Sequence, residues 1–317
     1  MTTNQKKLAV IAIGGNSLIT SKDKASIEDQ YENVVETCRH IADIIEQGFE
    51  VVVTHGNGPQ VGYILERSEA AKKKVHEVPM DTAGADTQGA IGYAIQQALQ
   101  NELRHRGIKK NVATVVTQVL VSKDDASFKK PSKPIGPFYS EADAKDLEAK
   151  RGWAVVEDSG RGWRRVVPSP MPVEIIELAA VRSLIDAGIV TVSVGGGGIP
   201  VIREDNGNLK GVAAVIDKDR ASSMLASVIG ATHFVICTAV EKVCLNFGKP
   251  DQKNLDDISV ADAERYMGEG HFKPGSMLPK VEAAVQFLKK GGQQVIITSP
   301  EKLGDAVRGQ GGTRILG

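Results

Sequence analysis

The stretch LAVIAIGGNSL at 8–18 restricts the fold more than any other part of the chain. An apolar, β-branched run that stops at a glycine pair is the pattern of a buried central strand. The plan recurs twice. Residues 50–54 lead into Gly56-Asn57-Gly58-Pro59, and residues 189–194 lead into Gly195-Gly196-Gly197-Gly198. Strand, glycine loop, then helix is how a parallel sheet builds anion sites. Glycines let backbone N–H groups approach an anion, and a helix N-terminus adds partial positive charge. Three such loops point to a substrate with more than one anionic group. The alternative is three tight turns that need glycine for positive φ.

Charge narrows the partners. Basic and acidic residues balance at 39 each, so no global field draws the chain to nucleic acid or an anionic membrane. Aromatics are 4%, which offers little for base stacking. With 317 residues the chain can bury the core of one large α/β domain or of two lobes. Cys38, Cys237 and Cys244 sit in or beside apolar runs without a CxxC pair, as small buried thiols in a reducing compartment do. The apolar run before Gly14 is too short for a signal-peptide core or a membrane span. A cytoplasmic location is expected.

Along the chain, Ser26 with Asp29 in capping-box position opens a helix that Gly48 closes. Further helices are expected from the HGNGPQ loop to about 74 and over about 83–106, then a strand over 111–121. The order β-α-β-α-α-β predicts a parallel sheet with helices on both faces. The rhythm breaks between 122 and 172. Lys129 to Pro134 reads as a stiff, basic, proline-rich loop. Ser140 with Asp143 caps a short helix, and 152–167 reads as a hairpin turning at 158–160. This is either a small inserted lid or a surface decoration. Pro172 suits a helix start, giving a helix over 173–187 and a strand over 189–194. An apolar strand over 212–216 ends in Asp217-Lys218-Asp219. A helix to about 229 and a strand over 233–238 follow, then a short extended piece at 243–247. Ser259 with Asp262 caps the next helix. A helix over 276–290 and strands over 294–298 and 312–316 complete the chain.

Moving a phosphoryl group needs charge neutralisation and in-line positioning more than covalent help. Lys218 stands between two carboxylates after an apolar run, Lys280 lies early in a helix after Gly275-Ser276, and Lys133 lies on the proline-rich loop. Taken singly, each reads as a solvated surface charge, least so Lys218, because acidic and basic residues directly after a buried strand are unusual. There is no GxxxxGK[ST], kinase catalytic loop, GxSxG elbow or HExxH. GNGPQVG at 56–62 nearly matches a dinucleotide fingerprint, with Glu77 about where a ribose-binding acid would stand, so a nicotinamide enzyme is a competing reading. His55, beside the second loop, is expected to be a satisfied structural histidine.

GGNS at 14–17, GNGPQVG at 56–62, KPIGPFY at 133–139 and GRGWRRVVPSP at 160–170 together resemble the carbamate kinases of the amino acid kinase superfamily. So do GGGGIPV at 195–201, AVIDKD at 214–219 and GSMLPKVEAA at 275–284. The order is preserved over nearly the whole chain. The resemblance implies an α/β fold, a three-layer αβα sandwich around a mainly parallel open sheet with a small inserted protruding subdomain. It implies a single domain over 1–317, with a lobe of about 1–190 for carbamoyl phosphate, a lobe of about 191–317 for nucleotide, and a lid at 122–172. The implied reaction is reversible transfer between carbamoyl phosphate and ADP, giving ATP and carbamate, with Mg²⁺. A homodimer and a role in arginine catabolism come with it. Lys218 and Lys280 would neutralise the phosphoryl group, Asp219 would organise them, and Lys133 would close from the lid. Gly14, Gly15, Asn16, Gly56, Asn57, Gly58, Gly195 and Gly196 would hold carbamoyl phosphate or the transferred phosphate. Thr238, Ala239, Val240, Val243, Asn246, Phe247, Met277 and Pro279 would contact nucleotide; the metal ligands stay open. Many relatives carry an aromatic residue where Cys244 stands here. Another acyl-phosphate or phosphate kinase of the superfamily, or a non-catalytic nucleotide or amino-acid sensor, is the alternative function.

Overall fold

The computed structural model describes residues 7–15, 18, 26–158 and 160–317. The expectation for Asn16 therefore lies outside the described residues. Among those described, an eight-stranded sheet has the order Asp257–Ser259, Thr313–Leu316, Gln294–Thr298, His233–Cys237, Leu8–Ile13, Glu50–His55, Val190–Val192, Val112–Thr114. The strands from Gln294–Thr298 to Val112–Thr114 run parallel, and Thr313–Leu316 turns antiparallel. Leu8–Ile13 is buried along its whole length, as a strand covered on both faces must be. Leu8, Val10 and Ala12 face a core shared with the helices Lys218–Val228 and Met277–Lys289. Ala9, Ile11 and Ile13 face a second core, with the helices Ile27–Glu46 and Met80–His105. This is the three-layer αβα sandwich. Each large side chain fully buried there, such as Ile11 or Phe234, contributes about 1.5–3 kcal/mol.

Caps fall where their residues put them. Ser26 Oγ accepts from the Asp29 N–H while the Asp29 carboxylate accepts from the Ser26 N–H. Ser140 and Ser259 cap Glu141–Arg151 and Val260–Gly268 through Asp143 and Asp262. Such caps are worth about 1 kcal/mol each. No helix of the described residues is long and apolar enough to cross a membrane.

Four local expectations are corrected. The strand over 111–121 is two strands in different sheets, because Gln88 takes both backbone groups of Thr117. The Thr117 N–H donates to Gln88 Oε1 at 2.7 Å, and Gln88 Nε2 donates to the Thr117 carbonyl at 3.0 Å. After this break Gln118–Val121 joins a four-stranded sheet with Ile199–Arg203, Leu209–Gly211 and Pro172–Ile175. Pro172 thus opens an edge strand rather than a helix, where its missing N–H costs nothing; the helix follows at Leu178–Asp186. Residues 212–217 form no strand and run irregularly into the helix Lys218–Val228. Lys133 opens the strand Lys133–Tyr139 rather than lying in a loop. That strand pairs with Trp163–Val167, which pairs in turn with Ala154–Glu157. The three strands and the helix Glu141–Arg151 stand against the helix Gln60–Ala71. There Gly62 and Gly136 touch so closely that a Cβ on Gly62 would lie 2.8 Å from Gly136 Cα.

Candidate active site

The parallel strands end in register. The Gly56 N–H donates to the Ile13 carbonyl at 2.9 Å, and the Thr238 N–H to that of Thr298 at 2.9 Å. Their carboxyl ends open on one cavity of about 780 Å³, where open α/β sheets bind ligands. Gly14, Gly15, Gly56, Asn57, Gly58 and Gly196 line it together. Gly15, Gly56 and Gly58 lack positive φ, so turn geometry does not require them. Close approach requires the first two: a Cβ on Gly15 would lie 2.0 Å from the Gly58 carbonyl oxygen and one on Gly56 would lie 2.9 Å from the Gly15 nitrogen, whereas one on Gly58 would meet nothing within 4 Å. The third loop is different. Gly196, Gly197 and Gly198 are left-handed, and so is Val194 at φ 53°. A β-branched residue there is strained, which concentrates at functional sites. Its N–H donates to Thr117 Oγ1 at 3.0 Å and its side chain is buried. Gly196 abuts Asn57, whereas Gly195 turns away from the cavity toward His55 and Gln88.

The cationic residues converge on the same cavity, which Lys133, Lys218 and Lys280 line with Asp217 and Asp219. Asp217 caps the helix Lys218–Val228, its Oδ1 accepting from the N–H groups of Asp219 at 3.0 Å and Arg220 at 3.4 Å. Its Oδ2 holds Lys133 Nζ at 2.8 Å. Asp219, 3% exposed, holds Lys218 Nζ at 2.5 Å on one oxygen and Lys280 Nζ at 3.0 Å on the other. Burial works against both carboxylates, but the neighbouring ammonium groups outweigh it: Lys133, then Lys218, for Asp217, and Lys218, then Lys280, for Asp219. Both stay ionised well below the ordinary carboxylate range. Lys280 is pushed below the ordinary lysine range by burial, then by the charge of Lys218. Three ammonium groups against two carboxylates leave one net positive charge facing the glycine loops. This arrangement can take up a multiply charged phosphate.

His55 is buried and its pKa falls to about 4, through burial and, more weakly, through Lys218. Its Nδ1 lies 2.9 Å from the Gly56 carbonyl, so Nδ1 carries the proton of a neutral ring. It supports the loop from beneath. On the other side of the cavity stand Thr238, Ala239 and Pro279, with Gly275, Ser276 and Ser299 to Glu301. Val240, Val243, Asn246, Phe247 and Met277 do not line it. Val243 is buried in the core, Asn246 bonds Asp251 at 2.7 Å, Phe247 is 67% exposed, and Met277 packs against the core. Sequence reasoning missed three features of the site. These are the Lys133–Asp217 pair, Arg164, and the wall formed by Asn33, Glu36 and Thr37 of the first helix. Arg164 donates to the Gly136 carbonyl at 3.2 Å. No local pattern flags any of them. Among the described residues no three His, Cys, Asp or Glu side chains converge as a metal cage.

Comparison with known proteins agrees with this geometry. The model of the amino acid kinase family matches residues 7–299. The carbamate kinase of Thermococcus kodakarensis is 51% identical over 313 residues, 98% of this chain and 99% of the relative. That of Clostridium perfringens is 47% identical over 315 residues, 97% and 99%. The structure of carbamate kinase from Giardia lamblia bound to AMP-PNP superposes with a TM-score of 0.92 at 42% identity, covering 98% of this chain and 99% of that one.

Proposed function

The chain belongs to the amino acid kinase family, in its carbamate kinase branch, and from that premise we propose how its residues divide the phosphotransfer among them. The enzyme moves a phosphoryl group reversibly between carbamoyl phosphate and ADP. The bond from phosphorus to the carbamate oxygen breaks, one to a terminal oxygen of ADP forms, and carbamate leaves as its anion. The observation that carries the assignment of roles is the Lys218–Asp219–Lys280 cluster facing the glycine loops. Charge spreads over the oxygens of a phosphoryl group in flight, and preorganised cations in a half-dry wall stabilise it. Lys218 and Lys280 supply that charge, and Asp219 holds the two like charges side by side. Gly14, Gly15, Gly56, Asn57, Gly58 and Gly196 cradle the phosphate, with Gly195 behind them. Lys133, brought by the 122–172 segment acting as a lid, exchanges Asp217 for carbamoyl phosphate.

Carbamoyl phosphate would occupy the side built by about 1–190 and nucleotide the side built by about 191–317. Thr238, Ala239 and Pro279 would face the nucleotide's phosphates. The resemblance puts the nucleoside against Val240, Asn246, Phe247 and Met277, which continue the same segments, with Val243 supporting them from the core. Both central carboxylates are engaged by ammonium groups. That donor set fits a Mg²⁺ that arrives on the nucleotide's phosphates and keeps several waters; Glu301 of the cavity wall would hold one of them. Bound there, the ion would offset phosphate charge. A homodimer, a cytoplasmic location and a place in arginine catabolism belong to the proposal through the resemblance.

A coupled assay tests the reading. ATP should form from ADP and carbamoyl phosphate in the presence of Mg²⁺, with acetyl phosphate much the poorer donor. Faster turnover with acetyl phosphate would move the chain to another acyl-phosphate specificity.

A further inference from the structure

Behind the first cavity lies a second, of about 300 Å³, between the helix Gln60–Ala71 and the three-stranded sheet. Gly62, Ile135 and Gly136 form the wall between the two. Its lining is largely apolar, from Leu65, Val78, Met80, Ile135 and Trp153, and Arg165 enters it from the strand Trp163–Val167.

Arg165 differs from its neighbours. Arg151 forks onto both oxygens of Glu69, and Arg164 bonds Asp158 and the Gly136 carbonyl. Arg165 is half-buried, and its guanidinium donates no hydrogen bond among the described residues. It stacks on Trp153 instead, 4.5 Å from the ring centroid. Stacking occupies the face of the guanidinium and leaves its in-plane donors unclaimed. Burial holds Arg165 below its ordinary pKa, and Arg151 adds to this against the opposing effect of Tyr139. It nonetheless remains a cation at any physiological pH. A half-buried guanidinium with no hydrogen-bond partner among the described residues, on the wall of a largely apolar cavity, is placed to receive an anion.

The surroundings select among anions. The planar fork matches a carboxylate in a bidentate pair. Leu65, Val78 and Met80 favour an apolar body. Glu66 and Glu77 are exposed at the rim and Glu69 is already engaged, so a dianion such as phosphate meets repulsion that a monoanion largely escapes. We infer that this cavity binds a small apolar monocarboxylate, its carboxylate on Arg165 and its body against Leu65, Val78 and Met80, as a site separate from the phosphotransfer cavity.

Calorimetric titration of benzoate into the full chain tests this. Saturable binding of one equivalent is expected, with a Kd of about 1 mM or tighter. It should be unchanged in Lys218→Ala, and about tenfold weaker or more in Arg165→Gln and for the neutral isostere benzamide. Ala213 lines the cavity yet is solvent-exposed, so Ala213→Trp blocks the space and leaves Arg165 in place. It should abolish binding, and it decides the matter if Arg165→Gln misfolds. Inorganic phosphate should not displace benzoate. Absence of saturable heat up to about 10 mM, equal affinity in Arg165→Gln or in Ala213→Trp, displacement by phosphate, or loss in Lys218→Ala would each overturn the inference.

Discussion

Lys280 Nζ donates to Asp219 Oδ2 at 3.0 Å across 61 residues of sequence, and the other oxygen of that carboxylate holds Lys218. One buried carboxylate thus fixes two ammonium groups that would otherwise repel each other. If their purpose is to neutralise a phosphoryl group in flight, removing either should cost what one lost oxyanion donor costs, about 2.7–4 kcal/mol or roughly 10²–10³ in kcat. Lys218→Ala and Lys280→Ala are each expected to lose at least that. Asp219→Asn, which keeps shape but not charge, should lose a comparable factor. Initial rates of ATP formation, with circular dichroism to verify folding, check this.

The depressed pKa of Lys280 gives a pH signature. If Lys280 neutralises the phosphate as proposed, it acts protonated, so the alkaline limb of kcat/KM for ADP should fall below the ordinary lysine value of about 10.4. Lys280→Arg should remove that limb, because a guanidinium does not titrate there. Asp219→Asn removes the charge that most raises the pKa of Lys280, leaving only Asp217, and should move the limb lower still. The stability term has the matching sign. The folded chain releases this proton before the unfolded chain does, so the group's contribution to stability rises with pH between the folded pKa and about 10.4.

Lys133 reaches the cavity from a different sheet and is held by Asp217 Oδ2. Lys133→Ala should raise the KM for carbamoyl phosphate while leaving the KM for ADP near its original value. Asp217→Asn isolates the anchor, because asparagine caps a helix about as well as aspartate, so any fall in melting temperature reports the lost ion pairing with Lys133 rather than a lost cap. It should reproduce the carbamoyl phosphate defect in weaker form. A change confined to the nucleotide KM would assign the inserted segment to the other substrate.

Much of this was legible in the chain itself. Ser26, Ser140 and Ser259 announce their helices because a capping serine and its acidic partner act within three residues. The runs at 8–13 and 294–298 announce strands because burial on both faces leaves only apolar side chains. What failed was decided at a distance. Gln88 breaks the strand at Thr117 from another element. Pro172 and Lys133 lie in strands because partners far along the chain accept them. For the site, Lys218 stood out locally as a lysine between two aspartates. Nothing local joined Lys280 to it or Lys133 to Asp217, and only the resemblance brought these residues to one place before the structure did.

The glycine loops separate packing from turn geometry. In Gly15→Ala the new methyl group meets a backbone carbonyl that cannot swing aside, whereas at Gly58 a Cβ meets nothing within 4 Å. Overpacking of that kind costs about 1–3 kcal/mol. Gly15→Ala should therefore lower the melting temperature by at least about 2 °C, and Gly58→Ala should leave it nearly unchanged. Thermal melts of the two variants side by side decide it.

Everything proposed for this cavity rests on Lys218 and Lys280 acting together on the phosphate as it moves. A crystal structure with ADP, Mg²⁺, carbamate and a planar metal-fluoride mimic of the transferring group tests it most directly. Both Nζ atoms are expected within about 2.7–2.9 Å of the mimic's equatorial ligands, with Asp219 still between them. A mimic lodged in the same cavity with either ammonium group turned away and out of reach would contradict it.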